Sequence, residues 1–372
     1  VTACGGGGAH AEARTRAANA YLALYSPVGE ERDTLSTCRS AGGRPQEGVM
    51  DTARMLRKCV DQQWKVQDLD WNVSPRPMSH EDEIAVVQYF TDMAEIERFA
   101  GALFQEQRRI VADPTMKKIF STFVADEERH ADVASRLADH YNVHKLKTYT
   151  PSRGLMEFKP HFLATLKYLS AEIANSYITG GELMLDVALL RSLDDYVHDE
   201  MSARAMDLIN RDESRHIAVD YHMAEFYASP EYQAWLAQQP KKSLLFKLKA
   251  AATFANVLWY AGPFARQVFF EPMAKTDPSG KRLREAVKRM QLLGSRPHVS
   301  DRPFAKFQRT LREINNHPIA GPLLGRLARR LTGSFPAHLY RDLFTKDELT
   351  RANHMSMDEL AEEAVQAKFV AV

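Results

Sequence analysis

The pentapeptide Asp126-Glu127-Glu128-Arg129-His130 returns, with one letter changed, as Asp212-Glu213-Ser214-Arg215-His216. On a helix, residues three apart share a face, so each copy aims a carboxylate and an imidazole the same way and can grip one metal ion. A further glutamate precedes each copy, Glu97 by 30 residues before Glu127 and Glu182 by 31 before Glu213. Two half-sites of this kind leave little freedom. Four helices must run side by side for four carboxylates and two imidazoles to converge.

A lone Glu-x-x-His is expected about once by chance in a chain of this length, whereas the longer Asp-Glu-x-Arg-His string is expected in well under about one such chain in a hundred. The offset is 85 from Glu97 to Glu182, and 86 both from Glu127 to Glu213 and from His130 to His216. That pattern reads as an internally duplicated helical hairpin. The plain alternative is a pair of solvated helix faces carrying ion pairs.

The spacing predicts where each hairpin turns. Midway between Glu97 and Glu127 lies residue 112, beside the helix stop Asp113-Pro114. Antiparallel helices joined there carry both glutamates to one height, roughly 20 Å from the turn at 1.5 Å per residue. In the second hairpin the midpoint falls at Val197-His198, while the turn signal, at 192–195, lies a few residues early. A π-bulge near Gly180-Gly181 absorbs the difference in this reading, since such bulges favour functional sites.

Carboxylate and imidazole donors without thiolates suit a dinuclear iron centre; zinc does not use six such ligands, and manganese satisfies the same set in one or both positions. The constellation resembles the ferritin-like superfamily of dinuclear carboxylate proteins over residues 80–228. Its Asp-Glu-x-Arg-His wording is most similar to the bacterial multicomponent monooxygenase hydroxylases and related oxidases. By that resemblance Glu97, Glu127 and His130 bind one iron, Glu182, Glu213 and His216 bind the other, and Glu127 and Glu213 bridge. Asp126 and Asp212 are then the acceptors that orient the other half-site's imidazole, with Arg129 and Arg215 fixing those aspartates. O2 is the implied co-substrate.

Residues four before or after a ligand share its face. These are Gly101, Phe123, Ala134, Ile178, Asp186, Ile209 and Asp220, with Phe104 and Phe120 a turn further along. The apolar members read as bundle core that also lines a substrate pocket, namely Gly101, Phe104, Phe123, Ala134, Ile178 and Ile209. Asp186 and Asp220 are the candidate catalytic groups, as proton relays or hydrogen-bond partners of the ligands. Tyr177, His140, His144, His198 and His222 lack the spacing for either half-site.

The expected architecture is all-α. Residues 1–49 read as a Gly-, Ala- and Arg-rich disordered tail. A helix over 51–65 and a Pro-containing linker fill 50–78, and the ferritin-like bundle occupies 79–228. A helical C-terminal region with excess Lys and Arg occupies 229–372. Ser79, with Asp82 three residues on, is an expected N-cap. Helices are expected to 112, from 115 to 141, then after a connector at 142–159 to about 193, and on to 228. Beyond that, helices are expected over 241–272, 279–293, 302–316, 320–332 and 347–368.

Net charge is +1, so the whole molecule carries no nucleic-acid footprint. Cys4, Cys38 and Cys59 form no disulfide framework and no metal-spaced pair, which fits a reducing cytoplasm. Val1-Thr2-Ala3-Cys4 mimics a lipidation box, but no basic and apolar signal region precedes it in this sequence. The longest apolar run, 250–265, is interrupted by Gly262-Pro263 and is shorter than the roughly 18 residues of a span, so no membrane partner is expected. The basic face of Lys281, Arg282, Arg284, Lys288 and Arg289 suits either solvent or an acidic partner, such as an electron-transfer or carrier protein. A homodimer is one expected assembly.

The functional expectation is an O2-activating oxidase or oxygenase of a small or carrier-bound organic molecule, by hydroxylation, desaturation or N-oxygenation. Its alternatives are a ferritin-like ferroxidase and a radical protein like the ribonucleotide reductase small subunit. The last resemblance requires a tyrosine where this chain has Ala134. The arylamine N-oxygenases carry an extra histidine where Ile209 stands, and ferritin chains are about half this length.

Overall fold

Each long helix begins where a short polar side chain can take up free backbone N–H groups. The computed structural model describes residues 50–331 and 336–369; the expected tail at 1–49, with Cys4 and Cys38, lies outside the described residues. α1 (Thr52–Asp61) is capped by Asp51, and a 3-10 turn (Val66–Asp68) follows. α2 (His80–Ile110) starts at Ser79, whose hydroxyl accepts from the Asp82 N–H at 3.1 Å. Glu81, Asp82 and Glu83 in its first turn and Arg108 and Arg109 in its last complement the helix dipole. Asp113 and Pro114 end one helix and start the next, α3 (Pro114–Tyr141).

The expected connector at 142–159 is only partly a connector. α4 (Arg153–Leu166) begins within it and holds Pro160 in its interior. Buried Asp92 of α2 anchors that start, accepting from both the N–H and the hydroxyl of Ser152 at 2.5 Å. Ser170 then caps α5 (Ala171–Glu182), which runs without interruption through a π-helical stretch (Leu183–Leu190) into α6 (Arg191–Val197). α7 (Glu200–Ala228) completes the second hairpin.

Two expectations about that hairpin need correction. Residues 192–195 are helical, because Asp194 and Asp195 meet Arg191 instead of turning the backbone. The turn falls at His198, whose φ of 47° is left-handed, and Asp199 caps the next helix. That is the position the midpoint required. The π stretch starts at Leu183, after the two glycines, and lies between Glu182 and the turn. It accommodates the one extra residue of the second half.

α2, α3, the rod of α5 and α6, and α7 form the four-helix bundle, with α2 packed on α3 and α5, and α7 on α3 and α5. Its core is closed by Phe90, Phe104, Phe120, Leu137, Ile178 and Tyr221, none more than 2 % exposed. Each such side chain contributes roughly 1.5–3 kcal/mol by burial.

The C-terminal region continues through α8 (Pro230–Gln238), α9 (Leu244–Ala265), a π turn (Arg266–Phe270) and α10 (Glu271–Thr276). It ends with α11 (Lys281–Gly294), α12 (Pro303–Asn316), α13 (Ala320–Leu331), α14 (Lys346–His354) and α15 (Met357–Gln366). One helix expected over 347–368 is two, because Ser356 and Glu359 form a capping box inside it. α11 packs on the π stretch and α15 on α7, so these helices jacket the second hairpin. Much of the basic face of α11 is turned inward: Arg282 pairs with Asp195, Lys288 with Glu285 and Glu348, and Arg289 with Glu285 and Glu363. Lys281 and Arg284 remain exposed. Among the described residues no strand occurs, and no helix is long and apolar enough to cross a membrane.

Candidate metal centre

Four rods deliver the duplicated motif to one place. Glu97 of α2, Glu127 and His130 of α3, Glu182 at the end of α5, and Glu213 and His216 of α7 are all buried, none more than 2 % exposed. They form two overlapping groups, Glu97, Glu127, His130 and Glu213, and Glu127, Glu182, Glu213 and His216. Within each group one donor atom per residue lies within 4.8 Å of the others. Glu127 and Glu213 belong to both groups. His130 Nδ1 stands 3.0 Å from Glu213 Oε1, and His216 Nδ1 stands 3.0 Å from both Glu127 Oε1 and Glu213 Oε2. The Nδ1 atoms therefore face the carboxylates.

The Nε2 atoms face away, and each meets the aspartate of the other half. His130 Nε2 is 3.1 Å from Asp212 Oδ2, and His216 Nε2 is 3.4 Å from Asp126 Oδ2. Arg129 donates to Asp126 and, at 2.9 Å, to Asp212. Arg215 donates to Asp212 at 2.6 Å and lies 3.5 Å from Asp126. Two aspartates and two arginines thus balance one another in charge. Burial alone pushes both aspartyl groups up, but His216 acting on Asp126, and His130 with Arg215 acting on Asp212, hold both below the usual carboxylate range.

The four glutamates have no such balance. Both oxygens of Glu97 and Oε2 of Glu182 are buried without a hydrogen-bond partner. Burial first, then the nearby Glu127 and Glu213, pushes the Glu97 carboxyl well above its ordinary value; burial and Glu213 do the same to Glu182. For Glu213 burial also acts upward, but His216, Glu182 and His130 outweigh it and the group is held low. Leaving carboxylates uncompensated in such a place costs several kcal/mol per ion. Two divalent cations match the formal charge of four glutamates, and the orphaned oxygens and inward Nδ1 atoms are the donor set such ions take. The residues fit a pair of metal ions.

Sequence reasoning missed the segment that closes the network from outside. Trp64 Nε1 donates to Asp212 Oδ2 at 2.7 Å, and Gln63 Nε2 donates to Asp126 Oδ1 at 3.0 Å. Gln63 Oε1 accepts from Arg129 and Gln62 Oε1 from Arg215, while Arg129 lies 4.9 Å from the Trp64 ring centroid. Adjacent residues after α1 therefore serve opposite halves of the duplication. No spacing signal marks them, because the repeat does not include them.

The apolar neighbours surround the cluster as packing. Phe104 and Phe123 stand against His216, with ring centroids 5.0 and 4.1 Å away. A Cβ at Gly101 would come within 3.3 Å of Glu127 Cβ, so glycine there lets α2 and α3 approach. Ala134, Ile178 and Ile209 are buried too. A cleft bordered by Asn175, Thr179, Gly180, Tyr227 and Phe304 lies apart from these six positions.

Asp186 and Asp220 are both fully buried but differ in company. Both oxygens of Asp186 accept from Lys368 Nζ, at 3.2 and 3.1 Å, and that lysine also donates to Asn210 O and Ser214 Oγ. Both oxygens of Asp220 lack a partner, and burial pushes its carboxyl well up. Tyr177 packs between the Phe162 and Phe304 rings, and His144 pairs with Glu83 at 2.6 Å; neither belongs to the cluster.

No curated protein and no solved structure matches the chain. The family model described as Rubrerythrin matches residues 91–220, a segment holding all six clustered side chains and both Asp-Arg pairs. With the helical bundle and its buried carboxylate–histidine groups, that match identifies residues 91–220 as a domain of the ferritin-like diiron-carboxylate superfamily.

Proposed function

We propose that this protein is a non-haem diiron oxidoreductase that activates O2 to oxidise a small or carrier-bound organic molecule. Glu97, Glu127 and His130 would hold one iron, and Glu182, Glu213 and His216 the other, with Glu127 and Glu213 shared. The observation that carries the reading is the convergence of six buried donors with unsatisfied oxygens. When bound, such a pair supplies two electrons to O2 together. The protein's own part is positioning and water exclusion. Asp212 and Asp126 fix the imidazoles so that Nδ1 points inward. Phe104 and Phe123 keep water from His216. Asp220, whose carboxyl burial pushes well above its ordinary value and whose oxygens have no partner, lies one helical turn from His216 and would be the proton relay. Asp186, with both oxygens on Lys368, is less free to serve.

The closed packing of Gly101, Phe104, Phe123, Ala134, Ile178 and Ile209 favours a second reading, ferroxidase chemistry in which Fe(II) itself is the substrate. Single-turnover oxidation separates the two. Protein loaded anaerobically with Fe(II) is exposed to O2 with a panel of amine, aromatic and acyl-carrier substrates, and products are read by mass spectrometry. An oxygenated or desaturated product supports the first reading; repeated Fe(II) oxidation with accumulation of bound iron supports the second. Glu127→Ala and His216→Ala should abolish loading near two irons while keeping helical circular dichroism. Either variant binding two irons and consuming O2 at the wild-type rate would refute the ligand assignment.

A further inference from the structure

α9 is an apolar helix docked by one face only. Its inner face packs through rings: Phe264 stacks on Phe158 of α4 at 4.4 Å, Tyr260 on His161 at 4.2 Å, and Phe254 lies 6.1 Å from Phe307 of α12. The outer face carries Leu244, Leu245, Leu248 and Trp259, which are 73 %, 61 %, 60 % and 58 % exposed. Ala251, Ala252 and Ala255 between them are exposed as well. At 3.6 residues per turn these positions occupy one arc of roughly 120°. Lys247 and Lys249 fall on its two flanks.

α13 packs against α9 and repeats the design. Leu323, Leu324 and Leu327 are 75 %, 49 % and 56 % exposed on one arc, with Ile319 at 70 % a turn earlier and exposed Arg326 at the edge. Monomeric proteins scatter exposed leucines singly; two adjacent helices presenting them together mark a surface that something covers.

Charge decides what that is. From 232 to 270 the chain has no acidic residue but carries Lys241, Lys242, Lys247, Lys249 and Arg266, and from 314 to 341 it again has none. Lys241, Lys247, Lys249 and Arg326 have no acidic partner among the described residues. A second copy docked on this face would set cations against cations, whereas an anionic lipid surface complements both the charge and the apolar arc.

We propose that α9 and α13 form a peripheral docking surface for an anionic phospholipid membrane. The leucines and Trp259 enter the acyl boundary, and the flanking lysines and Arg326 meet headgroup phosphates. The expectation of no membrane partner rested on the lack of a spanning segment, and a helix lying in the interface needs only one apolar face. This surface is independent of the metal chemistry and stands whether or not that assignment holds.

Flotation of the full chain with phosphatidylcholine vesicles, with and without 30 % phosphatidylglycerol, tests it. Binding is expected only with the anionic lipid, and should fall steeply as salt is raised. Leu248→Glu with Leu323→Glu should reduce it at least about tenfold, as should Lys247→Glu with Lys249→Glu. Because these side chains are exposed, helicity and melting temperature should stay at wild-type values. Absence of binding to anionic vesicles overturns the proposal. So does a concentration-dependent dimer that Leu248→Glu with Leu323→Glu dissolves, which would assign the face to a second copy. Salt-insensitive binding to neutral vesicles, or tight binding of an acidic carrier protein with none to lipid, would also overturn it.

Discussion

Asp212 receives four donors, from His130, Arg129, Arg215 and Trp64. It therefore fixes the imidazole of one half-site while belonging to the helix of the other, and its negative charge keeps the His130 Nε2 proton in place. An isosteric amide cannot accept from all four. Asp212→Asn should weaken iron binding by about 10–100-fold, the usual cost of losing such an outer partner, without changing the limiting stoichiometry. Competition with a calibrated chelator measures it. Unchanged affinity would show that His130 needs no orienting partner. Trp64→Phe removes one donor of the four and should have a smaller effect in the same assay.

At the scale of elements, the π stretch and the chain's last described turn meet at Asp186. Its carboxyl is pushed up to about 6, by burial first, with Lys368 pulling it down. A carboxyl whose pKa is higher in the folded than in the unfolded state costs stability as pH rises from about 4 to about 6. Lys368 limits that cost. Lys368→Met leaves a buried carboxylate unpaired and should lose about 3–5 kcal/mol of unfolding free energy at pH 8. At pH 5 the loss should be smaller, because Asp186 then carries a proton. Asp186→Asn added to Lys368→Met should recover much of it. Denaturant unfolding at both pH values reads these numbers, and an equal loss at both would mean that Lys368 acts other than through Asp186.

The same elements show what a sequence discloses. Glu97, Glu127, Glu182 and Glu213 were legible because a duplicated helical hairpin repeats its spacing, whereas the crossed Asp–His pairing came from the family resemblance and not from the repeat. The midpoint arithmetic located the turn at His198, whereas local turn chemistry pointed to Asp194 and Asp195, whose carboxylates take ion pairs instead. Lys368 and Trp64 were not legible. Each meets a carboxylate more than a hundred residues away in sequence, Lys368 at Asp186 and Trp64 at Asp212, by packing that no periodicity encodes. Pro160 is exposed inside α4, and the buried Phe158 and Phe162 on either side of it, packed on Phe99 and Phe264, hold that helix in place.

At the scale of the whole molecule, a charge-balanced shell of Asp126, Asp212, Arg129 and Arg215 surrounds four glutamates that lack compensation, and C-terminal helices jacket the second hairpin. That arrangement is costly unless cations enter. Anaerobic titration of metal-free protein with Fe(II), counting bound iron per chain, shows whether they do. Saturation is expected at two, with Mössbauer signals of high-spin ferrous ions in oxygen- and nitrogen-rich coordination. Saturation at none or one, with the helical fold intact, would contradict the assignment of two metal ions.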